Sequence, residues 1–554
     1  MMPTVQSKPG IVRALPSLTD AAFLMPIVFL FLKMDGARTM LGDGDTGWHV
    51  RTGEWILDHA RVPSADMFSF SKPGAPWFAW EWLWDAMFGW LYRQGGMAAV
   101  VIASIVVLCF TFALLFRLVR GRCNNAVIAF GVTVLALAAS SIHWLARPHL
   151  FTLLFAVIFL GILERVAAGE RRLLWLLPLL TVVWTNLHGG FFVALLLMVP
   201  YAAGEFTGIM AAPGKRQYGQ AWKKAQPYVL AALGCLLASL LNPYTYHLHQ
   251  HVFEFLTDPF PMLHIDEYKP LSFQAPAARF FEPMIVLGLA AALWHLLRRR
   301  FTAVFLLAGW AHLGLIAARN VPLFAIVAAP WIAQAIEEGL AALESADVAA
   351  WLRRAARAAR EFGGEFSAMD RIGRWHLASA AGLALTAAMF YAPAPRPGFQ
   401  ADYDPSRYPA GALRVLESAE SHHIFTHDEW GDYLIYKLFP KQKVFVDGRM
   451  DFYGSQFMEA YLDVLGAKYD WQRTLERYRI DTIVLPPDAP LTSTLKESHR
   501  WRVVYDDHIS VVFRAMPAAE HTASTPDHGE ETLRGRPATA QRQGPTASNN
   551  ETRS

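Results

Sequence analysis

Residues 96–122, GMAAVVIASIVVLCFTFALLFRLVRGR, decide the class of fold. The first part, 96–116, carries no charge and is long enough for one helical crossing, which takes about 20 apolar residues. Arg117, Arg120 and Arg122 follow at once. A basic cluster closing an apolar run marks a loop that stays in the cytoplasm.

The same pattern recurs outward in both directions. Apolar runs lie at 17–36, 125–143, 149–166, 173–188, 189–209, 228–246, 281–297, 301–318, 320–336 and 376–394. Together they predict a mainly α, polytopic transmembrane bundle of about eleven crossings. Asp20, Pro26 and Lys33 interrupt the first run. No cleavage pattern follows it, so it reads as a retained span. The run at 173–188 is short, as a helix ending beside a water-filled cavity is. Alternate loops are basic: Lys8 and Arg13, Arg117 to Arg122, Arg165 to Arg172, Lys215 to Lys224, Arg298 to Arg300, and Arg353 to Arg374. The N-terminus is therefore expected inside a bacterial-type cytoplasmic (inner) membrane, and everything after 394 outside. Residues 341–373 read as an amphipathic helix on the cytoplasmic surface.

Composition agrees. Hydrophobic residues make up 54% of the 554 and charged residues 18%, which excludes a disordered chain and a simple soluble enzyme. A net charge of +3 is too small to argue for nucleic acid. The three cysteines lie in or beside apolar runs without metal spacing.

Sorting loops by side puts the chemistry outside. The first outer loop, 37–95, opens with Gly42-Asp43-Gly44-Asp45-Thr46-Gly47-Trp48-His49. Asp-x-Asp on a glycine-rich turn ligates a divalent cation or presents a general base, and a solvated turn is written in the same letters. Residues 48–60 and the stretch Trp77 to Asp85 read as Trp-rich helices lying in the membrane interface. Glu81 and Asp85, one turn apart, need another explanation than lipid anchoring. The next outer loops hold His143, Arg147 and His149; Asn186 and His188 before Gly189-Gly190; His247 and His251 on one helix face; and Arg319. An Arg at such a boundary holds a phosphate or anchors the interface. Ionisable groups at membrane depth are functional candidates.

Residues 398–516 read as an extracytoplasmic α/β domain. Helices are expected at 405–421, 429–438, 455–465 and 471–478, strands at 423–426, 443–446 and 482–485, and a hairpin at 501–514. That order implies a mainly parallel sheet with an antiparallel edge. Two clusters follow strands: His427 to Tyr433, with Trp430, Asp432 and Tyr433, and Asp447 to Asp451, with Arg449. The tail 517–554 has the composition of a disordered segment. The chain thus divides into a membrane part, 1–397, the domain 398–516 and the tail.

In layout the chain resembles the GT-C class of membrane glycosyltransferases, which includes the oligosaccharyltransferase catalytic subunit and the protein mannosyltransferases. Asp43-Gly44-Asp45 matches the position of the acidic motif that carries the catalytic Asp in that class. Glu429-Trp430-Gly431-Asp432-Tyr433 looks like a variant of the Trp-Trp-Asp-Tyr-Gly acceptor motif, with Gly431 for the second Trp and Leu434 for the closing Gly. Val444 to Arg449 is similar to the strand and acidic turn that follow. The resemblance implies transfer of a sugar from a polyprenyl-phosphate-linked donor to a glycan, lipid or protein acceptor at the bilayer. Asp45 with Asp43 would be the base or the ligands of an Mg²⁺ or Mn²⁺ ion. Arg147 and Arg319 would clamp phosphate, and His49, His188 and His247 would line the pocket. Trp430, Asp432, Tyr433, Asp447 and Arg449 would meet the acceptor. A transporter or flippase for a lipid-linked or anionic solute, and a non-catalytic envelope scaffold, are the other classes the layout allows.

Overall fold

The structure, a computed structural model, describes residues 13–213, 217–370, 374–417 and 423–516. Lys8, Lys215, Arg216 and the tail from 517 lie outside the described residues.

All eleven apolar runs fall on helices, but their lengths differ. Among the described residues, six helices are long and apolar enough to cross a membrane: Trp82–Arg122, Ala126–His143, His149–Ala167, Gly189–Met210, Ala278–Leu297 and Ala318–Ser345. Phe301–Ile316 and Leu377–Phe390 are apolar but shorter. Leu18–Lys33 has 16 residues. At 1.5 Å per residue that is roughly 24 Å, less than the roughly 30 Å hydrocarbon core. Asp20 interrupts this helix without being unpaired. It completes a capping box with Ser17 and accepts from Ser379 Oγ at 2.5 Å. The run at 173–188 does break. Leu176–Leu187 ends at His188, whose extended backbone leads into a 3-10 turn, Gly189–Phe192. Beyond Ser345 a second helix, Ala350–Asp370, docks on the bundle, with an Arg120–Asp370 ion pair and Asn125 Nδ2 donating to Ala359 O at 2.9 Å.

The acidic turn leads into the helix Asp45–His59. Glycines let that helix approach two others at backbone distance. A Cβ on Gly53 would stand 1.9 Å from Asp85 O and one on Gly89 2.6 Å from Gly53 C. Cβ atoms on Gly44 and Gly47 would stand 2.6 Å from the Cβ atoms of Asp432 and Tyr436, on the helix Asp428–Leu438. The glycine-rich stretch therefore serves as a packing surface. The helix Trp82–Arg122 is kinked at Gly95 and Gly96, where Gly96 takes φ 66°. Trp48, Trp77 and Trp84 are buried in protein, not laid in an interface as the sequence suggested.

The C-terminal sheet has four strands, β1 (Ile424–Thr426), β2 (Thr482–Leu485), β3 (Trp501–Asp506) and β4 (Val511–Ala515), in the order β1-β2-β4-β3. Only β1 and β2 pair in parallel, and the other two pairs are antiparallel. The parallel part is thus one strand pair, extended by parallel bridges at Val444, and the β4–β3 hairpin is the expected antiparallel edge. The stretch 443–446 forms bridges at Val444 in place of a full strand, one to Ile424 and one to Ser69. Val444 thus covers the β1 edge, which would otherwise stay open for pairing, and the segment after Ala60 covers Val444 in turn. The helix expected from 405 is reduced to Leu413–Glu417, because Pro405, Pro409 and Gly411 precede it. Residues 418–421 lie outside the described residues.

Candidate active site

Three segments distant in sequence meet at the acidic turn. Arg147 is held there by its neighbour. Ala146 N donates to Met40 O at 2.7 Å, and Thr46 Oγ1 donates to Ala146 O at 3.2 Å. So placed, Arg147 Nη1 reaches Asp43 Oδ2 at 2.8 Å and Nη2 reaches Asp45 Oδ2 at 2.6 Å. Trp48 Nε1 donates to Asp45 Oδ1 at 3.3 Å. The third segment brings Asp432, whose Oδ1 accepts from Gly448 N at 2.9 Å. A Cβ on Gly448 would lie 2.6 Å from Asp45 Oδ1 and 2.7 Å from Asp432 Oδ2, so both carboxylates converge on this glycine.

Burial and neighbouring charge shift two of these carboxylates, Asp43 and Asp432. Burial, then Asp45 and Glu267, push Asp43 up to about 7 against the pull of Arg147. Burial, then Asp45 and Asp447, push Asp432 well above the usual carboxylate range. The Asp43 Oδ1 atom is buried without a hydrogen-bond partner.

Beside this cluster runs a buried chain. His49 Nδ1 lies 2.6 Å from Asp85 Oδ1, and His49 Nε2 lies 3.4 Å from Glu81 Oε2. The other Glu81 oxygen lies 3.4 Å from His188 Nε2. His188 Nδ1 accepts from Gly190 N at 3.0 Å, so its proton sits on Nε2, facing Glu81. Burial, helped by Asp451 and Asp45, raises Glu81 to about 8, which keeps it protonated at neutral pH. Burial, then Arg147, holds His49 well below its ordinary value and neutral.

Glu267 forms the far wall. It lies 3.4 Å from Arg319 Nη1 and 3.4 Å from His143 Nε2. Burial alone would raise it, but Arg319 and then its other cationic neighbours hold it at about 2. Arg319 also lies over the Tyr268 ring at 4.3 Å. Arg147 feels Glu267 and Glu81 as well as its own pair, which ties the two arginines into one charged region.

The remaining expected residues are placed differently. His247 is exposed, its ring tilted against Tyr246, and away from the cluster. Its helix partner His251 instead meets Asp451 at 3.0 Å. Asp447 is fully buried, held by Arg449 Nε and Nη2, both at 2.7 Å, and by Tyr453 OH at 2.8 Å. Arg449 also donates to Asp66 at 2.7 Å and lies over the Trp77 ring at 4.6 Å. Trp430 is buried and donates to Arg407 O at 2.8 Å, and Tyr433 packs on Tyr403 and Tyr408. Gly431 stands where a Cβ would meet Val446 O at 2.0 Å, so no larger residue fits at the second position of that motif.

A resident divalent cation does not fit the Asp43–Asp45 pair. Mg²⁺ and Mn²⁺ take about six oxygens in a near-octahedral shell. Here Arg147 holds one oxygen of each aspartate, and among the described residues no three His, Cys, Asp or Glu side chains form a metal-holding group. Glu81, Asp85 and Glu267 are central residues that the sequence did not assign to the site. The spacing of Glu81 and Asp85 was a usable signal; Glu267 offered none.

The fold is that of the oligosaccharyltransferases, polytopic enzymes of the GT-C class. It is shared with solved structures of the Archaeoglobus fulgidus oligosaccharyltransferase AglB. The complex with an inhibitory peptide and a dolichol-phosphate matches at a TM-score of 0.52 and 13% identity, over 85% of this chain and 69% of that one. The form tethered to an acceptor peptide with an NVT sequon matches at 0.52 and 13%, over 84% and 68%. The apo form matches at 0.50 and 13%, over 84% and 69%. No protein-family model and no curated protein sequence matches the chain.

Proposed function

We propose that the chain is a membrane glycosyltransferase. It takes a sugar from a polyprenyl-phosphate-linked donor and passes it to an acceptor on the outer face of the cytoplasmic membrane. The N-terminus lies inside, the chain crosses about eleven times, and residues 398–516 form an outer domain on the membrane part. The observation that carries this reading is the convergence of Asp43, Asp45 and Asp432 with Arg147 at the end of apolar helices. The shared fold supports it, since one AglB complex contains a dolichol-phosphate and another an acceptor peptide.

In this reading Asp45 takes the proton of the acceptor as its nucleophilic atom bonds to the anomeric carbon. The bond from that carbon to the phosphate oxygen breaks, and the electron pair leaves on the lipid phosphate. Arg319 stabilises the departing charge. His49, buried, and His188, half-buried, are both held neutral and shape the pocket wall. Asp432 meets the acceptor beside Asp45, while Trp430, Tyr433, Asp447 and Arg449 build the wall behind it. The Mg²⁺ or Mn²⁺ ion that the Asp-x-Asp pattern suggested has no part here, because Arg147 holds both carboxylates. The test is Asp45→Asn in membranes supplied with radiolabelled lipid-linked sugar. Transfer should fall by about 100-fold or more, as for loss of a general base; undiminished transfer rejects the assignment.

A further inference from the structure

We infer that Arg147 is a built-in substitute for a divalent cation: its guanidinium clamps Asp43 and Asp45 as a metal-free pair and positions Asp45 for proton transfer. The inference deepens the proposed transferase reading, but its binding arm stands apart from it.

Three observations lead there. The first is the geometry of the clamp. Two different nitrogens of one guanidinium contact two different carboxylates, at 2.8 Å and 2.6 Å. A planar fork suits this bridging, and a point-charge ammonium cannot reproduce it. The second is the mounting. Arg147 is no surface side chain that happened to fold over an acidic turn. The preceding residue is pinned on both backbone groups to the turn itself, through Met40 and Thr46. Pro148 then starts the helix His149–Ala167 directly behind it. The cation and the two carboxylates therefore form one rigid unit assembled across about a hundred residues of sequence. The third is the count of free oxygens. Arg147 and Trp48 engage three of the four oxygens of the pair, and Gly448 N engages one of Asp432. Among the described residues, no hydrogen bond reaches Asp43 Oδ1, which is buried, and Gly448 N engages Asp432 through Oδ1, not Oδ2. Two oxygens beside a fixed positive charge are a poor shell for a second, doubly charged cation.

A guanidinium keeps its charge at any physiological pH, so the clamp neither exchanges nor washes out. It lowers the electrostatic cost of two adjacent carboxylates, which is the service a metal performs in a metal-bound pair. It leaves Asp45 oriented, with Oδ1 directed toward Gly448 and Asp432. Arg147 acts through Asp45 and is a positioning residue.

The experiment uses the full chain purified in detergent and titrated with Mn²⁺, with free and bound metal read by electron paramagnetic resonance. The wild type should show no stoichiometric tight site, and its transfer of radiolabelled lipid-linked sugar should survive exhaustive chelation within twofold. Arg147→Ala should lower kcat by about 100-fold with little change in donor KM, as expected for misplacing a catalytic group. Added guanidinium ion should restore part of that loss, which a purely structural defect would not show. Arg147→Lys, which keeps the charge and loses the fork, should fall between the two. One tight Mn²⁺ per chain in the wild type, or chelation that abolishes transfer with recovery on adding Mn²⁺, overturns the inference. So does an Arg147→Ala variant with wild-type kcat. Should no preparation transfer sugar at all, the transferase reading fails, while the Mn²⁺ titration of the wild type still decides the clamp.

Discussion

Asp45 and Asp432, 387 positions apart in the chain, direct carboxylate oxygens at one point above the Gly448 Cα, 2.6 Å and 2.7 Å from where a Cβ would stand. The glycine is what allows two acids from two distant segments to share this space. It also donates its N–H to Asp432 at 2.9 Å, so the same residue opens the gap and fixes one of its walls.

Gly448→Ala should therefore abolish function without unfolding the protein. The methyl group must displace Asp45 or Asp432, and a displacement near 1 Å at a catalytic group costs about 100-fold in rate. Transfer of radiolabelled lipid-linked sugar should drop by that order, while the thermal midpoint in detergent moves little. Gly339→Ala, where a Cβ meets nothing, is the control and should be silent. Full transfer by Gly448→Ala would show that the two acids do not act together.

Gly47→Val tests the attachment of the C-terminal segment. The added side chain must collide with Tyr436 Cβ at 2.6 Å and the Tyr403 hydroxyl at 3.1 Å. Overpacking of this kind typically costs about 1–3 kcal/mol. The midpoint of thermal unfolding should fall, and limited proteolysis should release residues 398–516 sooner than in the wild type.

Arg449→Met separates building from binding. The residue is buried and shared between Asp447 and Asp66. Breaking a buried pair by removing one partner costs about 3–5 kcal/mol, because two carboxylates stay behind unpaired. Denaturation should show that loss, with the acceptor KM of the remaining folded protein unchanged. A raised KM at unchanged stability would instead make Arg449 an acceptor contact.

Glu81 gives a pH signature. Its ordinary value is 4.5 and burial raises it to about 8. Between those values the folded state holds a proton that the unfolded state has released, so stability falls as pH rises. His49 works the other way below 6.5, since it is held neutral in the fold while the unfolded ring charges. The Glu81 contribution is thus cleanest from about 6.5 to about 8. Thermal midpoints measured from pH 6 to 9 should decline through that window in the wild type, with a shallower decline in Glu81→Gln. Identical slopes would mean that Glu81 is ionised in the fold.

The membrane class was legible because apolar runs and basic clusters are local and additive along the chain. The helix Asp428–Leu438 and the strands at 424–426 and 482–485 were legible for the same reason, their periodicity being a property of a few neighbours. The parallel part of the sheet is shorter than expected because residues 443–446 form bridges at Val444 rather than a full strand. The buried tryptophans were misread because an aromatic stripe is spelled alike whether it faces lipid or protein.

By itself, then, the sequence determined the helical membrane bundle, the acidic turn at its boundary and the residue types gathered near it. Only the tertiary structure decided what those residues do to one another. It placed Arg147 on Asp43 and Asp45 across about a hundred residues, Glu81 between His49 and His188, and Asp447 out of reach inside an ion pair with Arg449. It also turned Gly44 and Gly47 from a loop signal into a packing surface. The physical reason is common to all four. A charge or a glycine takes its role from whatever lies within a few ångströms, and in these cases the partner is set by how distant segments close on each other.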